Sequence, residues 1–180
     1  SGTGFVVDPN FTTAAFNPPG ENDDVVAGDF DGDGDNDLYF VLDGQDILLR
    51  NNGGFSFADA TADIPALLDN STAAVARDFD RDGDLDIFVA NIGTSQLLVN
   101  QGRAQGGREG LFLLGTRPSP LPASNILLAA AAADVDNDGD LDLAVSVHPL
   151  SGSETTVLYL NQGGIQGVAD GVFLGDPGFQ

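Results

Sequence analysis

Small and apolar residues fall along this chain in short runs, broken by clusters of Asp, Asn and Gly, and the runs recur in one order three times. The first run of each set covers residues 25–28, 73–77 and 127–133. A second follows at 38–42, 87–90 and 143–147, and a third at 47–49, 96–99 and 156–160. The third ends each time in an Asn-polar-Gly triplet: Asn51-Asn52-Gly53, Asn100-Gln101-Gly102 and Asn161-Gln162-Gly163. Asn and Gly tolerate the positive φ of tight hairpins. A fourth run opens on glycine, at 54–57, 110–113 and 171–174. Four short strands per unit, separated by turn residues, predict an all-β chain of antiparallel meanders. The alanines at 129–133 have helical propensity. Their place in the repeat, just ahead of an acidic loop, predicts a strand of small residues close to a crowded axis instead.

The spacing supports a repeat. From the glycine that opens a fourth run to the next acidic loop is 24 residues for Gly54–Asp78 and for Gly110–Asp134, and 25 for Gly4–Asp29. The run at residues 4–8 is therefore read as an extra copy of the outer strand. The distance inside a unit varies, which places insertions at 103–108 and 163–170, in outer hairpins where loops grow at little entropic cost. The expected organisation is an N-terminal strand and linker at 1–20, then three units at 21–69, 70–124 and 125–180, within one repeat domain.

Between the first and second runs of each unit stands the sequence D-x-D-x-D-G-D-x-D. The copies are Asp29, Asp31, Asp33, Asp35 and Asp37; Asp78, Asp80, Asp82, Asp84 and Asp86; and Asp134, Asp136, Asp138, Asp140 and Asp142. Carboxylates at positions 1, 3, 5 and 9, with glycine at position 6 for the turn, suit a hard cation, and calcium takes six to eight oxygen ligands. Position 7 (Asp35, Asp84, Asp140) is expected to offer its backbone carbonyl and leave its side chain for solvent or a second partner. An EF-hand shares these nine positions but needs Glu at position 12 and flanking helices. Position 12 here is Phe40, Val89 and Val145, inside apolar runs.

Composition sharpens this. The formal charge is −22, with 25 Asp against 3 Glu, and all six basic residues are Arg. Short Asp side chains fit a backbone wound around an ion. Three divalent ions bring the charge only to about −16, so nucleic acid and anionic membrane are excluded as expected partners. The absence of Cys rules out disulfides and thiolate metal sites. No apolar run is long enough to span a bilayer.

Acidic loops set between the first and second strands of four-stranded units resemble the FG-GAP/VCBS repeats of integrin-α-type β-propellers. The resemblance covers nearly the whole chain. It implies one blade per unit and calcium on one rim, held by Asp29, Asp31, Asp33 and Asp37, by Asp78, Asp80, Asp82 and Asp86, and by Asp134, Asp136, Asp138 and Asp142. Literal Phe-Gly and Gly-Ala-Pro signatures are missing, so integrin-like ligand recognition is not carried over. Closed propellers need about 4–8 blades, and three units with a spare outer strand predict an open or partial propeller.

Asn10-Phe11-Thr12 and Asn70-Ser71-Thr72 are glycosylation sequons, and Thr12 is a further candidate for a sugar. His148 is the lone histidine, assigned to an outer loop, with no nucleophile elbow or phosphate-binding glycine loop to make it catalytic. The expected function is non-enzymatic: an extracellular, calcium-stabilised structural or adhesive building block that assembles with itself through strands or blades, as filament or ring. The alternative is a ligand- or carbohydrate-binding propeller fragment of a larger surface protein, with another extracellular protein or glycan as partner.

Overall fold

The computed structural model describes residues 22–54, 56–102, 106–115, 125–149, 155–163 and 173–175. Their strands form three antiparallel four-stranded meanders in chain order. Blade 1 consists of β1 (Asn22–Gly28), β2 (Asp37–Gln45), β3 (Ile47–Asn51) and β4 (Phe57–Asp59). Blade 2 consists of β5 (Leu68–Arg77), β6 (Asp86–Asn91), β7 (Gln96–Asn100) and β8 (Phe112–Leu114). Blade 3 consists of β9 (Asn125–Ala133), β10 (Asp142–Pro149), β11 (Thr155–Asn161) and β12 (Phe173–Gly175). A single 3-10 turn, Thr61–Asp63, lies between blades 1 and 2. The architecture is all-β and that of an open, partial propeller. The expected extra strand at residues 4–8 lies outside the described residues.

The alanine run is strand β9. It pairs with β10 from Ala133↔Asp142 to Asn125↔Pro149, with one irregularity between Ser146 and Val147. Propensity loses here because β10 offers the run a full antiparallel ladder; Ala130 and Ala132 pack against the core shared with blade 2, while Ala129, Ala131 and Ala133 are exposed rather than crowded. Two expectations need correction. The outer strands start two or three residues later than the sequence pattern placed them, at Phe57 and Phe112 rather than at Gly54 and Gly110. Gly54 and Gly110 have φ of 61° and 72°, so the chain is still turning there. His148 lies in β10, opposite Ile126, rather than in a loop.

Side-chain alternation explains how the blades stack. β6 is buried along its whole length. Ile87 and Val89 pack into a core shared with blade 1, which includes Tyr39, Val41 and Leu48. Phe88 and Ala90 pack into a core shared with blade 3, which includes Leu143, Val145 and Tyr159. Blade 2 is thus covered on both faces, a period-two pattern with both phases apolar.

The blades are also joined through the backbone. The last residues of β2 leave blade 1 and pair with the start of β5, as Asp43↔Asn70, Gly44↔Asp69 and Gln45↔Leu68. The next joint repeats this with one bridge, Ile92↔Ile126. At the first joint the buried Asp46 carboxylate accepts from the Tyr39 hydroxyl (2.6 Å), the Ser71 hydroxyl (3.0 Å) and the Leu42 N–H (2.9 Å). One carboxylate therefore ties β2 to β5.

Candidate metal centres

Each acidic loop joins an inner strand to the second strand of its blade, so all three emerge at the same end of the sheets. Their winding follows from two left-handed positions. Position 6 is glycine at φ of 97°, 98° and 99° (Gly34, Gly83, Gly139). Position 4 is also left-handed, with Gly32 at 74°, Arg81 at 59° and Asn137 at 62°. Asn enters that region readily whereas most other L residues do so at a cost, so Arg81 is held there by the loop.

Position 1 supports the turn in all three. Asp29 accepts from the Asp33 and Gly34 N–H groups at 3.1 and 3.0 Å, Asp78 from Asp82 and Gly83 at 3.1 and 3.0 Å, and Asp134 from Asp138 and Gly139 at 3.1 and 3.2 Å. Position 5 accepts from the N–H two residues on: Asp33 from Asp35, Asp82 from Asp84 and Asp138 from Asp140.

Position 9 is buried in every loop, with Asp37 at 0% exposure and Asp86 and Asp142 at 1%. Both its oxygens are used in the same way. One accepts from the position-2 N–H (Phe30 at 3.0 Å, Phe79 at 3.1 Å, Val135 at 2.9 Å). The other accepts at 2.9 Å from the N–H of the asparagine that ends the third strand (Asn51, Asn100, Asn161). The loop is thereby pinned to the end of the neighbouring third strand.

Carboxylate oxygens of Asp29, Asp31 and Asp33, of Asp78, Asp80 and Asp86, and of Asp134, Asp136 and Asp142 lie within 4.8 Å of one another in each group. These three triads can hold a metal ion. The buried oxygens Asp31 Oδ1 and Asp82 Oδ2 accept no hydrogen bond, which leaves these two atoms open to a cation. Donors of this type, all hard oxygens, fit a hard divalent ion. The pKa directions agree. Burial first, then the neighbouring Asp82 and Asp78 charges, push Asp80 up to about 6. Burial, with Asp80 and Asp82 adding to it, pushes Asp86 up to about 7. Burial, then Asp138 and Asp142, push Asp140 up to about 7. A divalent cation among them reverses the sign of the local field and favours the ionised forms.

The position-7 residues divide. Asp35 is exposed, as expected, but Asp84 and Asp140 are buried. Asp84 lies over the turn after β7: a β-carbon on Gly102 would come within 2.6 Å of Asp84 Oδ2. The glycine of the Asn-polar-Gly triplet therefore makes room for a loop side chain. The loop around Asp31 differs again. Arg50 reaches Asp31 at 3.5 Å and Asp63 at 3.2 Å, and donates to the Gly110 carbonyl at 2.7 Å.

The asparagines were read from sequence only as turn formers. Asn100 Nδ2 donates to the Phe30 carbonyl of the preceding loop at 2.8 Å, and Asn161 Nδ2 to the Phe79 carbonyl at 3.0 Å. They lock each blade to the acidic loop before it. Their recurrence 14 residues after position 9 in blades 1 and 2 was the available signal.

Residues 29–89 and 78–145 both match the model of the FG-GAP-like repeat. The chain belongs to the FG-GAP-like repeat family. Each match opens on the first Asp of one loop and runs past the next, so the FG-GAP unit here spans from loop to loop and across a blade joint. FG-GAP repeats are typically non-catalytic and typical of extracellular or surface proteins. No curated protein matches this chain. Among the described residues no helix is long and apolar enough to cross a membrane. Of the sequons, Asn10 and the neighbouring Thr12 lie outside the described residues. Asn70 is exposed on β5.

Proposed function

We propose that this FG-GAP chain is a non-enzymatic, calcium-stabilised structural or adhesive building block of an extracellular surface, one that associates with further copies of itself. The observation that carries the reading is the threefold repetition of one arrangement. In each blade an acidic loop is cinched by its own position-1 carboxylate and pinned by its position-9 carboxylate to the end of the third strand. An ion in such a loop acts on the sheet directly.

The energetics favour a structural role. Carboxylates about 5 Å apart repel by about 3 kcal/mol per pair at an effective dielectric near 20. A divalent ion replaces that repulsion with attraction. Calcium at tenfold its dissociation constant contributes about 1.4 kcal/mol per site, and three sites reach a large share of a domain's marginal stability. Calcium is preferred to magnesium because each loop brings three carboxylates together, whereas magnesium keeps most of its waters and takes one or two carboxylates. Millimolar calcium outside cells suits loops of the affinity seen in extracellular modules. The non-enzymatic reading rests on the family, whose repeats are typically non-catalytic.

The test is thermal melting of metal-stripped protein titrated with calcium and, separately, with magnesium. Calcium is expected to raise Tm in a saturable way at lower concentration than magnesium. An unchanged Tm between chelator and millimolar calcium would rule out the stabilising role.

A further inference from the structure

The blades share one facing rule. On the second strand of each, one row of side chains faces the preceding blade and the alternate row the following one. In blade 2 the backward row is Ile87 and Val89, and the forward row Phe88 and Ala90. By the same register Tyr39 and Val41 of blade 1 face forward, so Leu38 and Phe40 face backward, away from blade 2. Leu143 and Val145 of blade 3 face backward, so Ala144 and Ser146 face forward, away from blade 2. These four outward residues belong to neither core.

The outward row of blade 1 keeps the apolar character of the inner ones, and that of blade 3 is small, with Ala144 and Ser146. Leu38 and Phe40 are only half-buried, and Val25, paired with Phe40, is 50% exposed. Its counterpart in blade 2, Ala74, is 8% exposed. At the other end Ala131, opposite Ala144, is exposed. The two ends also differ in compensating volume. Both internal contacts have an aromatic in the forward row, Tyr39 and then Phe88; blade 3 has Ala144 there, and Ser146 where the others have Val41 and Ala90. On the backward row, blade 1 has Phe40 where the others have Val89 and Val145, and Val25 where the others have Ala74 and Ala130. The shallower end is thus matched to the bulkier one, as close packing requires.

We infer that blade 3 of one copy packs against blade 1 of a second copy, head to tail, through the rows that join blades within the chain. The inference rests on the self-association proposed above and names its contact. Such a contact is heterologous. It closes at two copies into a ring of six blades, within the range of about 4–8 for closed propellers, or continues as a polymer. The net charge of −22 opposes it, so calcium loading and salt strengthen it.

Light scattering coupled to size exclusion, in calcium and at about 0.1 mM chain, populates even a contact of about 10 μM affinity. The mass expected is at least twice the 18.5 kDa of one chain. Phe40→Asp and Ala144→Arg are each expected to reduce it to one chain, with circular dichroism unchanged. Mixing the two variants is expected to restore a species of two chains, because each retains the face the other has lost. Val25→Asp, at a position already exposed, replaces Phe40→Asp if that variant does not fold. A single-chain mass for the unmodified protein overturns the contact, and so does an assembly that survives Ala144→Arg. Melting on the same samples separates the two proposals: a monomer that calcium still stabilises overturns the contact alone, and an assembly indifferent to calcium overturns the calcium role alone.

Discussion

Asp37, Asp86 and Asp142 each satisfy two backbone N–H groups with one buried carboxylate. Replacing Asp86 by Ala leaves the Phe79 and Asn100 N–H groups without acceptors in a dry site, at about 1–3 kcal/mol each. Asp86→Ala is therefore expected to lower unfolding free energy by several kcal/mol even without metal, read by urea denaturation in chelator. A loss seen only in calcium would show that the carboxylate serves the ion alone. The raised pKa values of Asp80, Asp86 and Asp140, about 6, 7 and 7, set a pH dependence. The folded, metal-stripped chain holds protons that the unfolded chain releases above about pH 4, so its stability is greatest at the acid end of this window and falls as pH rises through about 7. Calcium reverses the order, because protons compete with the ion for the same oxygens. Metal-stripped protein is expected to melt higher near pH 5 than near pH 7.5, and calcium-loaded protein the other way round. The alternating Asp pattern announced the loops in the sequence. That position 9 is a backbone acceptor was hidden, because its partners lie 7 residues before it and 14 or 19 after it.

The strands themselves were legible because their apolar runs recur in register with the loops, and even the alanines of β9 obeyed the repeat over their own propensity. Strand ends were not. The outer strands begin late because Gly54 and Gly110 take left-handed angles, and glycine does not announce which φ it adopts. The joints between blades were equally silent: Asp43, Gly44 and Gln45 carry no apolar signal, yet they extend β2 into a ladder with β5. The asparagine locks belong to this scale. Asn161→Ala removes bonds to the Phe79 and Leu141 carbonyls (3.0 and 3.3 Å) and is expected to cost about 1–3 kcal/mol. Hydrogen exchange should report it as faster opening of β9–β12 with β1–β4 unchanged. Uniform acceleration over the chain would mean that the lock is not local to the joint.

Burial across the molecule grades the blades. Blade 2 contributes to both cores, whereas blades 1 and 3 contribute to one each. Phe88→Ala, which opens a cavity at a fully buried site, is expected to cost about 3–5 kcal/mol. Phe40→Ala, on the half-buried outward row, should cost clearly less when measured at concentrations too low for association. Equal losses would mean that the end face of blade 1 is already packed within one chain. Such grading is usual for repeat proteins, whose stability is close to a sum of unit and neighbour terms.

The one-dimensional pattern was enough to define the repeat, its four strands and its three acidic loops, because strand periodicity and ligand spacing are local properties read within a few residues. Which row faces which blade, which carboxylate oxygens meet the backbone, and which apolar faces stay open depend on contacts between residues as far apart as Asn161 and Phe79. Those are settled when the blades stack, since twist and packing, rather than any short-range preference, bring such partners within bonding distance.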